Sequence, residues 1–168
     1  MLSKILKKSD CASCKFCCSF RRQSLWETPL FSKTVAARLA ELYPSAKFRP
    51  AGKDSLTIDL SDAYKTDDSE EEAACPFLNS QTGCILPAEL KPFECSIWPL
   101  RPVYSKGEIA VALTPTCPAV NKAPHEAVEE LLQEGLGRQI IAYAEKNPDI
   151  IKESSDFLSD IVYTDLQK

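Results

Sequence analysis

Cys11-Ala12-Ser13-Cys14-Lys15-Phe16-Cys17-Cys18 places four thiols in eight residues, half of all the cysteine in the chain. Two residues between thiols let a tight turn aim both sulfurs at one centre, and a third thiol at the same interval makes a triad. The stretch therefore reads as a metal-binding knuckle carried on a loop. The doublet Cys17-Cys18 complicates that reading. Neighbouring Cα atoms lie only about 3.8 Å apart, yet consecutive side chains diverge, so one mononuclear centre does not easily take both.

Eight cysteines, an even number, would form a disulfide framework in a short secreted chain. Two features oppose that here. The chain has 168 residues, 44% of them apolar, enough for a single domain with a core of its own. Met1-Leu2-Ser3-Lys4-Ile5-Leu6-Lys7-Lys8 begins like a secretory signal, but its lysines interrupt it before a hydrophobic run develops. No apolar run reaches the roughly 18 residues of a membrane span either. The expected setting is cytoplasmic and reducing, where thiols persist and ligate metal. A net charge of −4 provides no global basic field, so neither nucleic acid nor a membrane surface is expected as a partner. The pattern specifies no protein partner.

Along the chain, Leu2, Ile5 and Leu6 share a helical face, and the turn they form is expected to stop near Ser9-Asp10. Thr28-Pro29 reads as an N-cap with proline at the first helical position, opening a helix over residues 29–43 with Phe31, Val35, Leu39 and Leu42 on its apolar face. Lys47-Phe48-Arg49 and the alternating Leu56, Ile58 and Leu60 flank a turn and predict a hairpin. The run from Asp67 to Glu72 carries five negative charges in six residues and reads as a solvated loop that could complement the basic knuckle. Ser105-Lys106-Gly107-Glu108 joins Val103-Tyr104 to the alternating Ile109, Val111 and Leu113, a second hairpin that would return Cys117 towards Cys95. From Pro124 to about Lys146, Val128, Leu131, Leu132, Leu136, Ile140 and Tyr143 mark a core helix. The tail leaves helix and strand open: Phe157, Leu158, Ile161 and Val162 suit one, Ile161 to Thr164 the other.

The remaining thiols, Cys75, Cys84, Cys95 and Cys117, span 43 residues and sit in turn-forming surroundings rich in proline and glycine. At this point the chain resembles the YkgJ-type cysteine-cluster proteins, described as a zinc- or iron-chelating domain. Their Cys-x-x-Cys-x-x-Cys-Cys is matched by Cys11, Cys14, Cys17 and Cys18, and their Thr-Pro helix start by Thr28-Pro29. Their Cys-Pro-Phe-Leu, Gly-Cys-x-Ile and Arg-Pro-x-x-Cys-Arg-x-Phe-Pro segments are matched by Cys75 to Leu78, Gly83 to Ile85 and Lys91 to Pro99. Here Lys91, Ser96 and Trp98 replace the motif's two arginines and phenylalanine, so a bidentate anion contact by those arginines does not carry over. The resemblance implies metal chelation. A relative, the flagellin lysine methylase, has a similar cysteine pattern and is associated with an iron-sulfur cluster, which makes a metal-dependent enzyme of redox or methyl-transfer type the alternative. An interaction module docking through the acidic loop or the knuckle is a third.

The metal stays open between zinc and an iron-sulfur cluster, with 4Fe-4S as the candidate cluster form. Either leaves a four-thiolate site at about −2, which Lys4, Lys7, Lys8, Lys15, Arg21 and Arg22 could offset. All eight cysteines are candidate ligands, in one site or two. His125, the only histidine, starts a helix and is assigned no role. Gly135-Leu136-Gly137 lies inside a helical pattern and reads as an aid to close packing rather than a nucleotide loop. Trp98 and Phe93 flank Cys95 and could shield a metal. The expected fold is α+β, a single small irregular domain of short helices and hairpins organised around a cysteine metal site. Its metal-binding core covers about residues 11–118, and residues 119–168 form a helical C-terminal part.

Overall fold

A computed structural model describes residues 2–22, 24–153 and 160–164. The chain divides into two compact units, Cys11–Cys95, and Met1–Asp10 with Ser96–Lys168. Helix and strand are mixed and pairing is mainly antiparallel, which makes the class α+β. Among the described residues no helix is long and apolar enough to cross a membrane.

The knuckle departs from its expected loop. Helix α1, Lys8–Cys14, runs through Ser9-Asp10, where a stop was expected from the sequence. Asp10 explains this: its Oδ2 accepts the Lys7 backbone N–H at 2.9 Å, so the carboxylate satisfies an amide at the start of the helix instead of ending it. Lys15, left-handed at φ 57°, breaks the helix, and a 3₁₀ turn over Phe16–Cys18 follows. Strand β1, Ser19–Arg21, leaves that turn.

Strand β2, Leu30–Ser32, occupies residues expected in the first turn of a helix, and α2 spans Lys33–Leu42. Thr28 is not its cap. The Ser32 hydroxyl accepts the Val35 N–H at 3.2 Å and fills that role, while the Thr28 hydroxyl donates to Ser24 O at 2.8 Å. Tertiary pairing outweighs the Thr-Pro signal: strands β3, Lys47–Pro50, and β4, Ser55–Asp59, form the predicted hairpin, and β4 takes β2 on its other edge. Ala36 and Leu39 face the core as the helical period requires, whereas Leu42 is 47% exposed. Phe20, Phe31, Leu39, Ile58, Leu60 and Phe77 form the centre of this unit.

Strand β5, Glu72–Ala74, pairs with β1 in the register Ser19↔Ala74 to Arg21↔Glu72. The acidic run before it is partly structured. Glu70 reaches Arg21 at 3.1 Å and Glu71 reaches Arg22 at 3.4 Å, and the Glu71 carboxylate also accepts the N–H groups of Lys65 and Thr66 at 2.7 Å. A hairpin of two short strands, β6, Leu78–Asn79, and β7, Gly83–Cys84, closes on the Asn79 side chain, which accepts the Gln81 and Thr82 amides. Helix α3, Phe93–Ile97, ends the unit; Glu94 Oε2 accepts the Leu30 N–H at 2.7 Å and ties it to β2.

The second unit is built on the predicted hairpin of β8, Leu100–Ser105, and β9, Glu108–Leu113. Its two central turn residues, Lys106 and Gly107, have φ of 51° and 86°, the left-handed pair that matches strand twist in a two-residue loop. Helices α4, Pro118–Asn121, α5, His125–Leu131, and α6, Gly137–Lys146, follow, and α6 packs on β8 and β9. The single helix expected over 124–146 is broken by a π turn at Leu132–Leu136, where Gly135 takes φ 125°. Val128, Leu131, Leu132, Leu136 and Ile140 keep the apolar face buried, but Tyr143 is 37% exposed.

Residues 119–168 are not helical throughout. Strand β10, Lys152–Glu153, joins β8 in parallel, and β11, Asp160–Thr164, joins β9 antiparallel, which resolves Ile161 to Thr164 as strand. Phe157 and Leu158 lie outside the described residues. Gly137 shows why a small residue is needed there: a Cβ built on it would lie 2.5–2.6 Å from Cγ, Cδ1 and Cε1 of Tyr163. Gly137→Ala is therefore expected to lower stability by about 1–2 kcal/mol, against the roughly 1 kcal/mol that alanine gains in helix propensity. In a Tyr163→Ala background the same change should become neutral or stabilising. Urea unfolding of the four proteins tests this, and strictly additive effects would refute the ring contact.

Candidate metal centre

All eight cysteines are thiols. Cys11 and Cys14 are exposed and lie three residues apart on α1, hence on one face of the helix. The 3₁₀ turn then sets Cys17 and Cys18 half-buried, with their side chains hydrogen-bonded to each other. The expected divergence of the doublet is thus overcome by the tight turn.

Pairing of β1 with β5 joins the distant thiols to the knuckle. One step beyond Ser19↔Ala74, the Cys75 N–H donates to Cys18 O at 2.7 Å. Pro76 and the Leu78 N–H to Cys75 O bond of 3.0 Å fold the chain into a turn that points the Phe77 N–H at the Cys75 sulfur. Cys84 is exposed and stands opposite Leu78 in the β6–β7 hairpin. Gly83, at φ 81°, lies against α1: a Cβ there would be 3.4 Å from Ala12 Cα. Cys95 is half-buried on α3. Cys117 belongs to the second unit, directly before α4, where its carbonyl accepts the Asn121 N–H at 2.9 Å.

Cys17, Cys18, Cys75, Cys84 and Cys95 are coupled electrostatically. Hydrogen bonding to Cys18 raises the Cys17 thiol well above its ordinary range, and burial and the Cys18 charge add to the effect. Burial first, then the charges of Cys84 and Cys17, push Cys75 up to about 12, while the Phe77 N–H opposes the rise. Burial also drives Cys95 well above its usual value, reinforced by Cys75, Glu94 and Cys17. Lys91 acts in the opposite direction on both Cys17 and Cys95.

That lysine corrects the expected charge balance. Arg21 pairs with Glu27 at 2.5 Å and with Glu70, Arg22 with Glu71 and the Tyr64 ring, and Lys4 with Glu134 at 2.5 Å. These three cations are engaged elsewhere. Lys91 stands in the Lys-Pro-Phe-Glu-Cys segment, so its spacing to Cys95 was the available signal. Trp98 stacks under the Arg101 guanidinium at 4.4 Å. His125 is exposed beside Glu129 at 3.4 Å.

The thiols fit a metal in donor chemistry: they are soft and numerous, and burial and mutual repulsion hold several of them neutral, a state that a cation reverses. Among the described residues no group of three or more His, Cys, Asp or Glu side chains is arranged to hold a metal ion, so the fit is one of donors, not of a closed geometry. A thiol raised in the folded state binds its proton there after the unfolded chain has released it. Cys75 therefore makes metal-free protein lose stability as pH rises from about 9 towards about 12, the stabilisation being intact below that window. The loss is at most about 1.4 kcal/mol per pH unit for each such thiol. Urea unfolding across that range should show a shallower decline in Cys75→Ala; identical slopes would count against the raised thiol.

No protein family, curated protein or solved structure matches the chain.

Proposed function

We propose that this protein binds a metal through its cysteine thiolates, as an iron-sulfur cluster or zinc, in a cytoplasmic, reducing setting. The observation that carries the reading is the coupling of Cys17, Cys18, Cys75, Cys84 and Cys95, half-buried apart from Cys84, in one 85-residue unit, with Lys91 as the neighbouring cation. The resemblance of the cysteine motifs to the YkgJ-type proteins supports it. Those five residues would hold the metal, and Cys11, Cys14 and Cys117 are further donors. On ligation each coupled thiol gives up the proton that burial makes it keep. The Phe77 N–H, directed at the Cys75 sulfur, favours its thiolate and orients it, and Lys91 offsets the charge that the thiolates accumulate. Bound iron-sulfur would supply one-electron redox chemistry, and bound zinc a structural cross-link.

The test is metal analysis with visible absorbance on protein purified without oxygen. Iron and sulfide with a broad visible band identify the cluster, and zinc in a colourless protein identifies the other form. Folded protein that carries neither, and takes up neither on anaerobic reconstitution, would sink the reading.

A further inference from the structure

Cys11 and Cys14 are both exposed and lie on one short helix. Three residues of helix separate their Cα atoms by about 5 Å, inside the range of about 4.4–6.8 Å that a disulfide spans. Their Cβ atoms, about 5–6 Å apart on a regular helix, must close to about 3.5–4.5 Å. Closing the bond requires α1 to tighten by about 1–2 Å between these side chains. The helix has seven residues, none with a side chain described as buried, and left-handed Lys15 ends it immediately after Cys14. Ser13 between them is also exposed, so a small reagent reaches both sulfurs.

We propose that Cys11 and Cys14 form a dithiol–disulfide site that exchanges with small disulfides of the glutathione class. One thiolate attacks a sulfur of the external disulfide, forming a mixed disulfide and expelling the first glutathione. The second thiolate attacks the protein sulfur of that mixed disulfide, closes the Cys11–Cys14 bond and expels the second glutathione. Two electrons and two protons leave the protein, and the reagent disulfide becomes two thiols. The exchange requires no metal, and it goes beyond the metal reading. The closed bond and a metal held by the same sulfurs exclude each other.

Metal-free full-length protein is equilibrated with oxidised and reduced glutathione, alkylated and digested with trypsin. Cleavage after Lys8 and Lys15 releases residues 9–15, which carry Cys11 and Cys14 and no other thiol. The expected result in the parent is a peptide lighter by two hydrogens and unalkylated. Cys14→Ser should instead leave one glutathione on Cys11. A peptide alkylated at both thiols, one carrying two glutathiones, or one cross-linked to another cysteine peptide overturns the proposal. Metal uptake is measured on separate anaerobic aliquots: protein that loads metal but does not close the disulfide refutes this site alone, and protein that closes it but loads no metal refutes the metal reading alone.

Discussion

Replacing Phe77 by alanine is expected to destabilise the protein by about 3–5 kcal/mol, a large share of the roughly 5–15 kcal/mol that holds a typical domain folded. Its side chain is 1% exposed and stands among three other rings, with centroids 5.4 Å from Tyr43, 6.3 Å from Phe31 and 6.4 Å from Phe48. Truncation removes the apolar contact and leaves a cavity that neighbours held by two strands and α2 cannot fill. The same residue links the core to the thiols: its N–H meets the Cys75 sulfur and its carbonyl accepts the Ile85 N–H at 2.9 Å, beside Cys84. Phe77→Ala should therefore also weaken any metal binding, and Phe77→Leu should recover most of both. Urea unfolding provides the energy, and a loss under about 1 kcal/mol would show that the ring is not the keystone of this unit.

Cys75→Ser is expected to have the largest functional effect. Its sulfur couples to Cys17, Cys84 and Cys95, as many partners as Cys17 has, and it alone links Cys84 to the others, so its loss removes a donor from the middle of the set. Serine keeps the volume, but its hydroxyl is not a soft donor and does not ionise at neutral pH. Affinity should fall by more than the roughly 10–100-fold that follows loss of an outer partner of a ligand. Metal content after anaerobic reconstitution, compared with the parent and with Lys91→Met, is the measurement. Lys91→Met should reduce loading by less, because it removes only charge compensation. Undiminished metal in Cys75→Ser would place the centre elsewhere.

The parts of the fold that were legible are those encoded by neighbours in the chain. The Lys47–Asp59 and Leu100–Leu113 hairpins follow from alternation and turn residues, and the apolar face from Val128 to Ile140 follows from helical period. Signals of that kind failed where a partner distant in sequence competed. Leu30–Ser32 suits a first helical turn until β4 supplies a ladder. The expected stop at Ser9-Asp10 failed for a local reason: the Asp10 carboxylate accepts the Lys7 N–H three residues back and helps start the helix. Gly135 and Gly137 were read together as packing residues, yet one relieves backbone strain in a π turn and the other admits the Tyr163 ring.

For the candidate site, composition and spacing singled out the thiols, because a Cys-x-x-Cys-x-x-Cys-Cys run gathers four of them within eight residues. Which of them act on one another depends on the register of β1 with β5, across more than fifty residues, and on Gly83 lying against Ala12. Neither is a property of any local stretch. Residue types and local periods are written along the chain, whereas strand register and the field at Cys75 are sums over groups that only the folded backbone brings together.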